Sequence, residues 1–184
     1  MTFEQRLNAE KSLALAAVLF PHEEWMPTEA NIWVAKSRLV EEYREPKKWE
    51  REMSQVRILT SRNSVAYFLP EIEIKGVIGK QFADLVLDGE VTEMKTVSGN
   101  RNTLGWDFKQ GLKQGKAVIQ DHPIIKTHSV YVRLLSDFSI QSVKGKIAGE
   151  LKDRQENGCF ICYFEHIGDL QTWSYDELRS IISR

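Results

Sequence analysis

Apolar residues recur at helical spacing in the first third of the chain. Thr2 and Gln5 form a capping box, and the apolar period that follows predicts a first helix over Phe3–Leu19. Pro21 ends this helix. The pattern predicts a second helix over residues 29–43 and a third that begins at Lys47, after Pro46.

The period changes to that of strands at Ser64. Asp88-Gly89 is a strong signal for a two-residue hairpin turn, and Ser174 to Glu177 is a second capping box that opens a last helix. The other predicted elements are strands over residues 65–69, 82–87, 91–97, 129–135, 160–165 and 170–173, a loop over 70–80, and helices over 104–120 and 139–156.

The order from Lys47 to Leu135 is therefore helix, three strands, helix, strand. It predicts the α+β class, with a mixed central β-sheet flanked by helices. We expect two parts, an N-terminal helical segment over residues 1–46 packed on the core and an α+β domain over residues 47–184.

Composition narrows the class of protein. The 184 residues are 42% hydrophobic and 28% charged, and the formal charge is -1. This composition is too apolar for a disordered chain. The longest apolar run, residues 13–20, is shorter than the ~20 residues that span a bilayer. Glu4 and Glu10 occupy the place of a basic signal-peptide region, so we expect no membrane span and a cytoplasmic site of action.

The pair Cys159 and Cys162 has C-x-x-C spacing within a dense apolar run. Strand residues three apart point to opposite faces of a sheet. We therefore interpret the two cysteines as parts of a buried strand rather than as a zinc or redox site.

Two carboxylates and an ammonium are predicted on one face of the hairpin. A two-residue turn at Asp88-Gly89 pairs Asp84 with Glu93, and Lys95 shares the face of Glu93. Opposed carboxylates need a cation between them, and oxygen ligands suit Mg²⁺ or Mn²⁺. Asp84 and Glu93 are the predicted metal ligands, and Lys95 could stabilise charge on a phosphate. The alternative is an ordinary cross-strand ion pair on a solvated face.

The segment with Asp84 and then Glu93-Met-Lys95, on a hairpin between helices, resembles the signature of PD-(D/E)XK nucleases, whose core is αβββαβ. Ala83 stands where that signature has proline. The segments Phe-Leu-Pro-Glu71 and Glu93-Met-Lys-Thr are similar to toxin nuclease domains of contact-dependent growth inhibition and related polymorphic toxins, many of which are tRNases. The resemblance implies a toxin-type endonuclease that needs Mg²⁺ or Mn²⁺, with tRNA as the favoured substrate and DNA as an alternative. The resemblance leaves open whether the protein has a cognate immunity protein and whether it is delivered as a toxin.

The resemblance also implies supporting residues outside the hairpin. An acidic residue on the first core helix is expected to reach the metal, with Glu52 as the first choice and Glu50 as the second. Gln110 and Gln114, four residues apart on the next helix, are expected to face the site. In each case a solvated helix face is the alternative.

A local excess of basic residues favours a nucleic-acid partner. Seven basic residues against two acidic ones lie between Lys95 and Arg133, a balance of +5. The predicted phosphate contacts are Arg101 and a stripe beside the glutamines formed by Lys109, Lys113 and Lys116. Gly111 and Gly115 weaken this helix, which indicates a close approach either to the sheet or to the nucleic acid.

Two other functions remain open from the sequence. A metal-independent toxin ribonuclease would use general acids and bases drawn from His128, Lys95, Thr96 and Ser98. A catalytically inactive nucleic-acid-binding module would keep the fold alone, although intact Asp84, Glu93 and Lys95 argue against it.

Overall fold

The computed structural model describes residues 1–71 and 83–182, which form two compact units, Met1–Val91 and Thr92–Arg184. The helices are α1 (Phe3–Leu19), α2 (Glu41–Arg44), α3 (Pro46–Thr60), α4 (Arg101–Asp121), α5 (Ile140–Leu151) and α6 (Tyr175–Ser180). The strands are β1 (Trp25–Glu29), β2 (Ile32–Ala35), β3 (Ala66–Phe68), β4 (Leu85–Leu87), β5 (Glu90–Val97), β6 (His128–Leu134), β7 (Cys159–Phe164) and β8 (Asp169–Ser174).

In the described part of the first unit, neighbouring strands follow the order β1-β2-β3-β4. β1 and β2 are antiparallel, β2 and β3 are parallel, and β3 and β4 are antiparallel. Helices α1 and α3 contact strands of this mixed sheet. Val34, Met53 and Phe68 are buried in its core.

The second helix predicted over residues 29–43 is wrong. The structure has the β1–β2 hairpin there, then a 3₁₀ turn at Lys36–Arg38 and the short α2. Asn31 has a φ of 65°, a left-handed conformation that breaks a helix and that asparagine tolerates. The β-branched and aromatic side chains of Ile32, Trp33 and Val34 fit a strand, and Trp33 stacks on Tyr67 at 5.1 Å between ring centroids.

The turn between β4 and β5 is the one predicted. Asp88 and Gly89 have φ values of 50° and 88°, and positive φ at both positions is what a type I′ turn requires. The Asp88 carboxylate accepts a hydrogen bond from the Val65 N–H at 2.8 Å, and the Gly89 N–H donates to the Ser12 hydroxyl at 2.8 Å. The turn is thus fixed from both sides within the first unit.

The second unit also has a mixed sheet. β6 and β7 are parallel, and β7 and β8 are antiparallel. Helices α4, α5 and α6 cover one face of these strands and form a core that includes Phe108, Ile147, Phe160 and Leu178. The backbone N–H of Leu135 donates to the Val97 carbonyl at 2.8 Å, joining the ends of β6 and β5.

The α+β class and the mixed sheet are confirmed in each unit, and the element order α3-β3-β4-β5-α4-β6 agrees with the prediction. The helix predicted over 139–156 ends at Leu151. The loop expected over 70–80 and the strand start expected at Phe82 lie largely outside the described residues. The two compact units divide after Val91. The expected division into a helical segment and an α+β domain after residue 46 stays a prediction.

Cys159 and Cys162 are free cysteines on β7, one half-buried and one buried. No helix in the described ranges 1–71 and 83–182 is long and apolar enough to cross a membrane.

Candidate active site on strand β5 and helix α4

Glu93 and Lys95 lie two residues apart on β5, so their side chains project from the same face. The Lys95 Nζ lies 2.7 Å from the Glu93 Oε1. Only 3% of Glu93 is exposed, which is unusual for a glutamate, whereas Lys95 is half-buried. Val97, two residues further, joins the core beneath α4, which shows that this face of β5 looks toward the helix.

Helix α4 brings a second oxygen to the same ammonium. The Gln114 Oε1 accepts a hydrogen bond from the Lys95 Nζ at 2.7 Å. Asn100 caps the helix by accepting hydrogen bonds from the backbone N–H groups of residues 102 and 103. Gln110, one turn before Gln114, is half-buried. Gln114 thus contacts Lys95, and the expectation that the two glutamines serve a catalytic site stays a prediction.

Asp107 was missed by the sequence analysis. It is seven residues before Gln114, about 20° away around the helix, so the two side chains share a face. Burial raises the pKa of the Asp107 carboxyl, and the nearby Lys95 ammonium partly lowers it again. Spacing of i and i+7 to a candidate glutamine is the one signal in the sequence that could have identified it.

The three lysines of α4 lie on a different stripe of the helix from Gln114. At 100° per residue, Lys116 is about 160° around the helix from Gln114. The Lys109 Nζ lies 3.4 Å from the Glu150 Oε2 on α5 instead. Lys113 is exposed, and Arg101 is exposed at the first residue of α4. The lysines thus form a solvent-facing stripe that is offset around α4 from Gln114, and their phosphate contacts stay a prediction.

The glycines of α4 allow the helix to approach the sheet. A methyl group at Gly111 would lie 2.9 Å from a Val130 methyl, and one at Gly115 would collide with the His128 ring, both on β6. Of the two alternatives that the sequence left open, the structure supports the close approach to the sheet.

Asp84 belongs to the first unit. It is half-buried, directly before β4, and its carbonyl accepts a hydrogen bond from the Leu69 N–H at 3.0 Å. Its pairing with Glu93 stays a prediction from the residue spacing around the turn.

Glu52, also in the first unit, pairs with a buried arginine. The Arg38 Nη2 donates to the Glu52 Oε2 at 2.9 Å, and the Arg38 Nη1 donates to the Leu69 carbonyl at 2.7 Å. Arg38 is 3% exposed, and its guanidinium carbon lies 3.7 Å from the centroid of the Phe68 ring. The second choice, Glu50, is exposed and pairs with Arg57 at 2.6 Å.

A second acidic residue faces Arg38. Burial raises the pKa of the Glu41 carboxyl to about 7, because the attraction of Arg38 does not fully offset the loss of water. Glu71 also contacts this carboxyl and is held by Lys48 at 2.6 Å. These side chains form a group that we call the Arg38 cluster. It contains two cations and three carboxyl groups: Arg38, Lys48, Glu41, Glu52 and Glu71.

His128 is buried, with 1% exposure, and neither ring nitrogen has a hydrogen-bond partner within residues 1–71 and 83–182. Burial lowers its pKa to about 4, and Glu156 raises it only slightly. A neutral, enclosed imidazole cannot reach an RNA backbone. The structure thus gives no support to His128 as an acid or base in a metal-independent ribonuclease.

No group of three or more His, Cys, Asp or Glu side chains with the arrangement of a metal site occurs in the described part of the chain. Mg²⁺ commonly uses only one or two protein carboxylates, with waters and substrate phosphates as its other ligands. The two predicted ligands fit that donor chemistry.

No protein family, curated protein or solved structure matches the chain. The resemblance to PD-(D/E)XK nucleases accordingly stays a prediction.

Proposed function

We propose that the protein is a metal-dependent endonuclease that hydrolyses phosphodiester bonds. The observation that carries the proposal is the Lys95 ammonium, held at 2.7 Å both by the buried Glu93 carboxylate and by Gln114. A half-buried ammonium fixed from two sides is oriented before any substrate arrives, which is the property that stabilises charge in a transition state.

Each residue has a distinct role in this proposal. Lys95 donates to a non-bridging phosphate oxygen, where negative charge increases during hydrolysis. Glu93 orients the Lys95 ammonium through their ion pair, and Gln114 restricts it to one direction. Asp84 joins the site on the grounds of the residue spacing around the Asp88-Gly89 turn.

Glu93 and Asp84 would hold the Mg²⁺ or Mn²⁺ ion, since carboxylate oxygens are the preferred ligands of both metals. When bound, the metal would polarise the phosphodiester and lower the pKa of a water.

We further propose a structured RNA, with tRNA favoured, as the substrate, and growth inhibition as the effect. The exposed lysines of α4 support a polyanion partner, because phosphate contacts come from such residues. α4 has 21 residues, but its lysines occupy only about two turns, which suits a stem or loop better than a long duplex. DNA remains the alternative substrate, and a toxin of this kind would have a cognate immunity protein.

The test is cleavage of purified tRNA and plasmid DNA with Mg²⁺, with Mn²⁺ and with EDTA. We expect cleavage only with metal, and its loss in Asp84→Asn, Glu93→Gln and Lys95→Met, each checked for folding by circular dichroism. The control Lys47→Met removes an exposed lysine of α3 and should leave cleavage unchanged.

Cleavage that persists in EDTA, or in all three site variants, would contradict the proposal. Cleavage of DNA with intact tRNA would overturn the substrate alone. Binding of nucleic acid without cleavage under every condition would favour the inactive binding module.

A further inference from the structure

A polar cavity lies in the second unit, between the C-terminal half of α4 and the loop that follows α5. Its volume is about 470 Å³. Three cations line it, Lys116 from α4, Lys126 from the segment after α4, and Arg154 from the loop after α5. We call it the Lys116 pocket. A volume of this size accommodates a small organic ligand rather than a simple ion.

The loop side of the pocket is fixed by the rest of the unit. The Arg179 Nη1 donates to the Arg154 carbonyl at 3.2 Å and to the Glu156 carbonyl at 3.1 Å. The His128 N–H donates to the carbonyl of residue 157 at 3.0 Å. Gly158 has a φ of 149°, and a side chain there would collide with the His128 carbonyl. The loop therefore keeps its shape without a ligand, which lowers the entropy cost of binding.

The cations of the pocket are available to an anion. Lys116 makes no hydrogen bond or ion pair with any residue in the described ranges, and the Lys126 Nζ donates only to the Pro123 carbonyl, at 2.7 Å. A phosphate with its charge of -1 or -2 would give both ammonium groups a charge-assisted partner.

Two acidic side chains, Asp153 and Glu156, also line the pocket. Burial by itself would raise the pKa of Glu156, but a hydrogen bond from its own backbone N–H, together with Arg154 and Lys116, lowers it. The Arg154 Nη1 lies 3.3 Å from the Glu156 Oε1. A site for a bare anion would gain nothing from such a carboxylate, whereas a ligand that also carries N–H donors would bind to it.

We propose that the Lys116 pocket binds a single phosphorylated nucleotide. Its phosphate would contact Lys116 and Lys126, its base would pack on the half-buried Ile119, and N–H groups of the base edge would donate to Glu156. Phosphate, flat apolar ring and N–H donors occur together in nucleotides, and the pocket has a partner for each.

This site is separate from the Glu93, Lys95 and Gln114 cluster, because Lys116 is about 160° around α4 from Gln114. The inference goes beyond the proposed nuclease activity and does not require it. A free nucleotide and one nucleotide unit of an RNA strand have the same binding chemistry, and the experiment distinguishes them.

The experiment titrates the full chain at low salt with AMP, GMP, CMP, UMP, the corresponding nucleosides and inorganic phosphate, by calorimetry or by NMR shifts. We expect nucleoside monophosphates to bind and both nucleosides and inorganic phosphate to bind at least tenfold more weakly. Lys116→Ala and Lys126→Ala should each weaken nucleotide binding about tenfold, the loss of one charge-assisted hydrogen bond. Lys152→Ala, an exposed lysine of the same loop that does not line the pocket, is the matched control.

Glu156→Gln is the second variant, because it keeps size and hydrogen bonding while removing the charge. We expect it to reduce the differences among the four nucleotides. Equal binding of phosphate and nucleotides would show a simple anion site, and equal binding of nucleosides and nucleotides would remove the role of the lysines. Either result, or no binding of any ligand, overturns the proposal.

Two arms of the titration distinguish a nucleotide unit of an RNA strand from a free nucleotide as the natural ligand. A short 5′-phosphorylated RNA that binds at least tenfold more tightly than the mononucleotides, through Lys116 and Lys126, would identify the pocket as a substrate subsite. Equal affinity would identify a free nucleotide as the ligand. Both arms are run in Lys95→Met, where binding to the pocket should persist, so failure of the nuclease proposal leaves this result interpretable.

Discussion

The Lys95 ammonium lies 2.7 Å from the side-chain oxygen of Gln114, a residue 19 positions further along the chain. Two elements of the second unit, β5 and α4, thus contribute to one charged group. The strand supplies the position of Lys95, and the helix limits its direction. This division of roles gives the site a residue whose loss should affect activity without removing any charge.

Gln114→Leu is expected to lower kcat/KM for cleavage about tenfold, because Lys95 loses one of its two orienting oxygens. The measurement is single-turnover cleavage with saturating Mg²⁺. Gln120→Leu, an exposed glutamine of the same helix, is the matched control and should behave like the wild type. Full activity in Gln114→Leu would show that the hydrogen bond has no role in orienting Lys95.

His128 should make stability depend on pH below neutrality. Its pKa is lowered to about 4 by burial, whereas an unfolded histidine titrates near ~6.5, so the unfolded chain binds the proton more readily between these values. The stability contribution of the neutral ring is complete above pH ~6.5 and is lost as the pH falls toward 4, by up to about 3 kcal/mol.

Urea unfolding between pH 7 and pH 4 measures this effect. His128→Leu should lose less stability over that range than the wild type, whereas His22→Leu, which changes an exposed histidine, should follow the wild type. Parallel pH curves for His128→Leu and the wild type would contradict the prediction.

Two helix glycines should respond in opposite directions to the same substitution. Gly115→Ala would press a methyl group into the His128 ring and should lower the free energy of unfolding by about 2 kcal/mol. Gly149→Ala on α5 meets no atom within 4 Å and should raise it by up to about 1 kcal/mol, the helix preference of alanine over glycine. Chemical denaturation of both variants tests the pair, and a neutral Gly115→Ala would mean that α4 can move away from the sheet.

Local signals in the sequence predicted the elements whose ends are determined by neighbouring residues. The Thr2 and Gln5 capping box fixed the start of α1, and Asp88-Gly89 fixed the turn, because both motifs satisfy backbone groups within a few positions. The β1–β2 hairpin was not predicted, since Ile32 pairs with Ala66, 34 residues away, and this partner is invisible to a local pattern. Helix spacing placed Gln110 and Gln114 on one face of α4, and only the family resemblance implied that this face looks toward the site.

The role of Arg38 was also beyond local reasoning. It lies in a short 3₁₀ turn, and its partners Glu52 and Leu69 come from later elements of the first unit. An arginine in a charged stretch looks exposed in sequence, and nothing near it marks the Phe68 ring that covers its guanidinium.

The 3₁₀ turn of residues 36–38 offers a direct test of that burial, because it holds two cations in very different surroundings. Arg38→Met should lower the free energy of unfolding by about 3 kcal/mol, since Glu52 would remain near the interior without its partner. Lys36→Met breaks a 2.6 Å pair with Glu24 whose side chains are 60% and 67% exposed, and should lower the free energy of unfolding far less than Arg38→Met does. Urea denaturation of both variants gives the comparison. The double variant Arg38→Met with Glu52→Leu should recover part of the loss, because it removes one of the two carboxylates, Glu52 and Glu41, that lose their partner. Equal costs for Arg38→Met and Lys36→Met, or no recovery in the double variant, would show that the Arg38 cluster does not hold the first unit together through this ion pair.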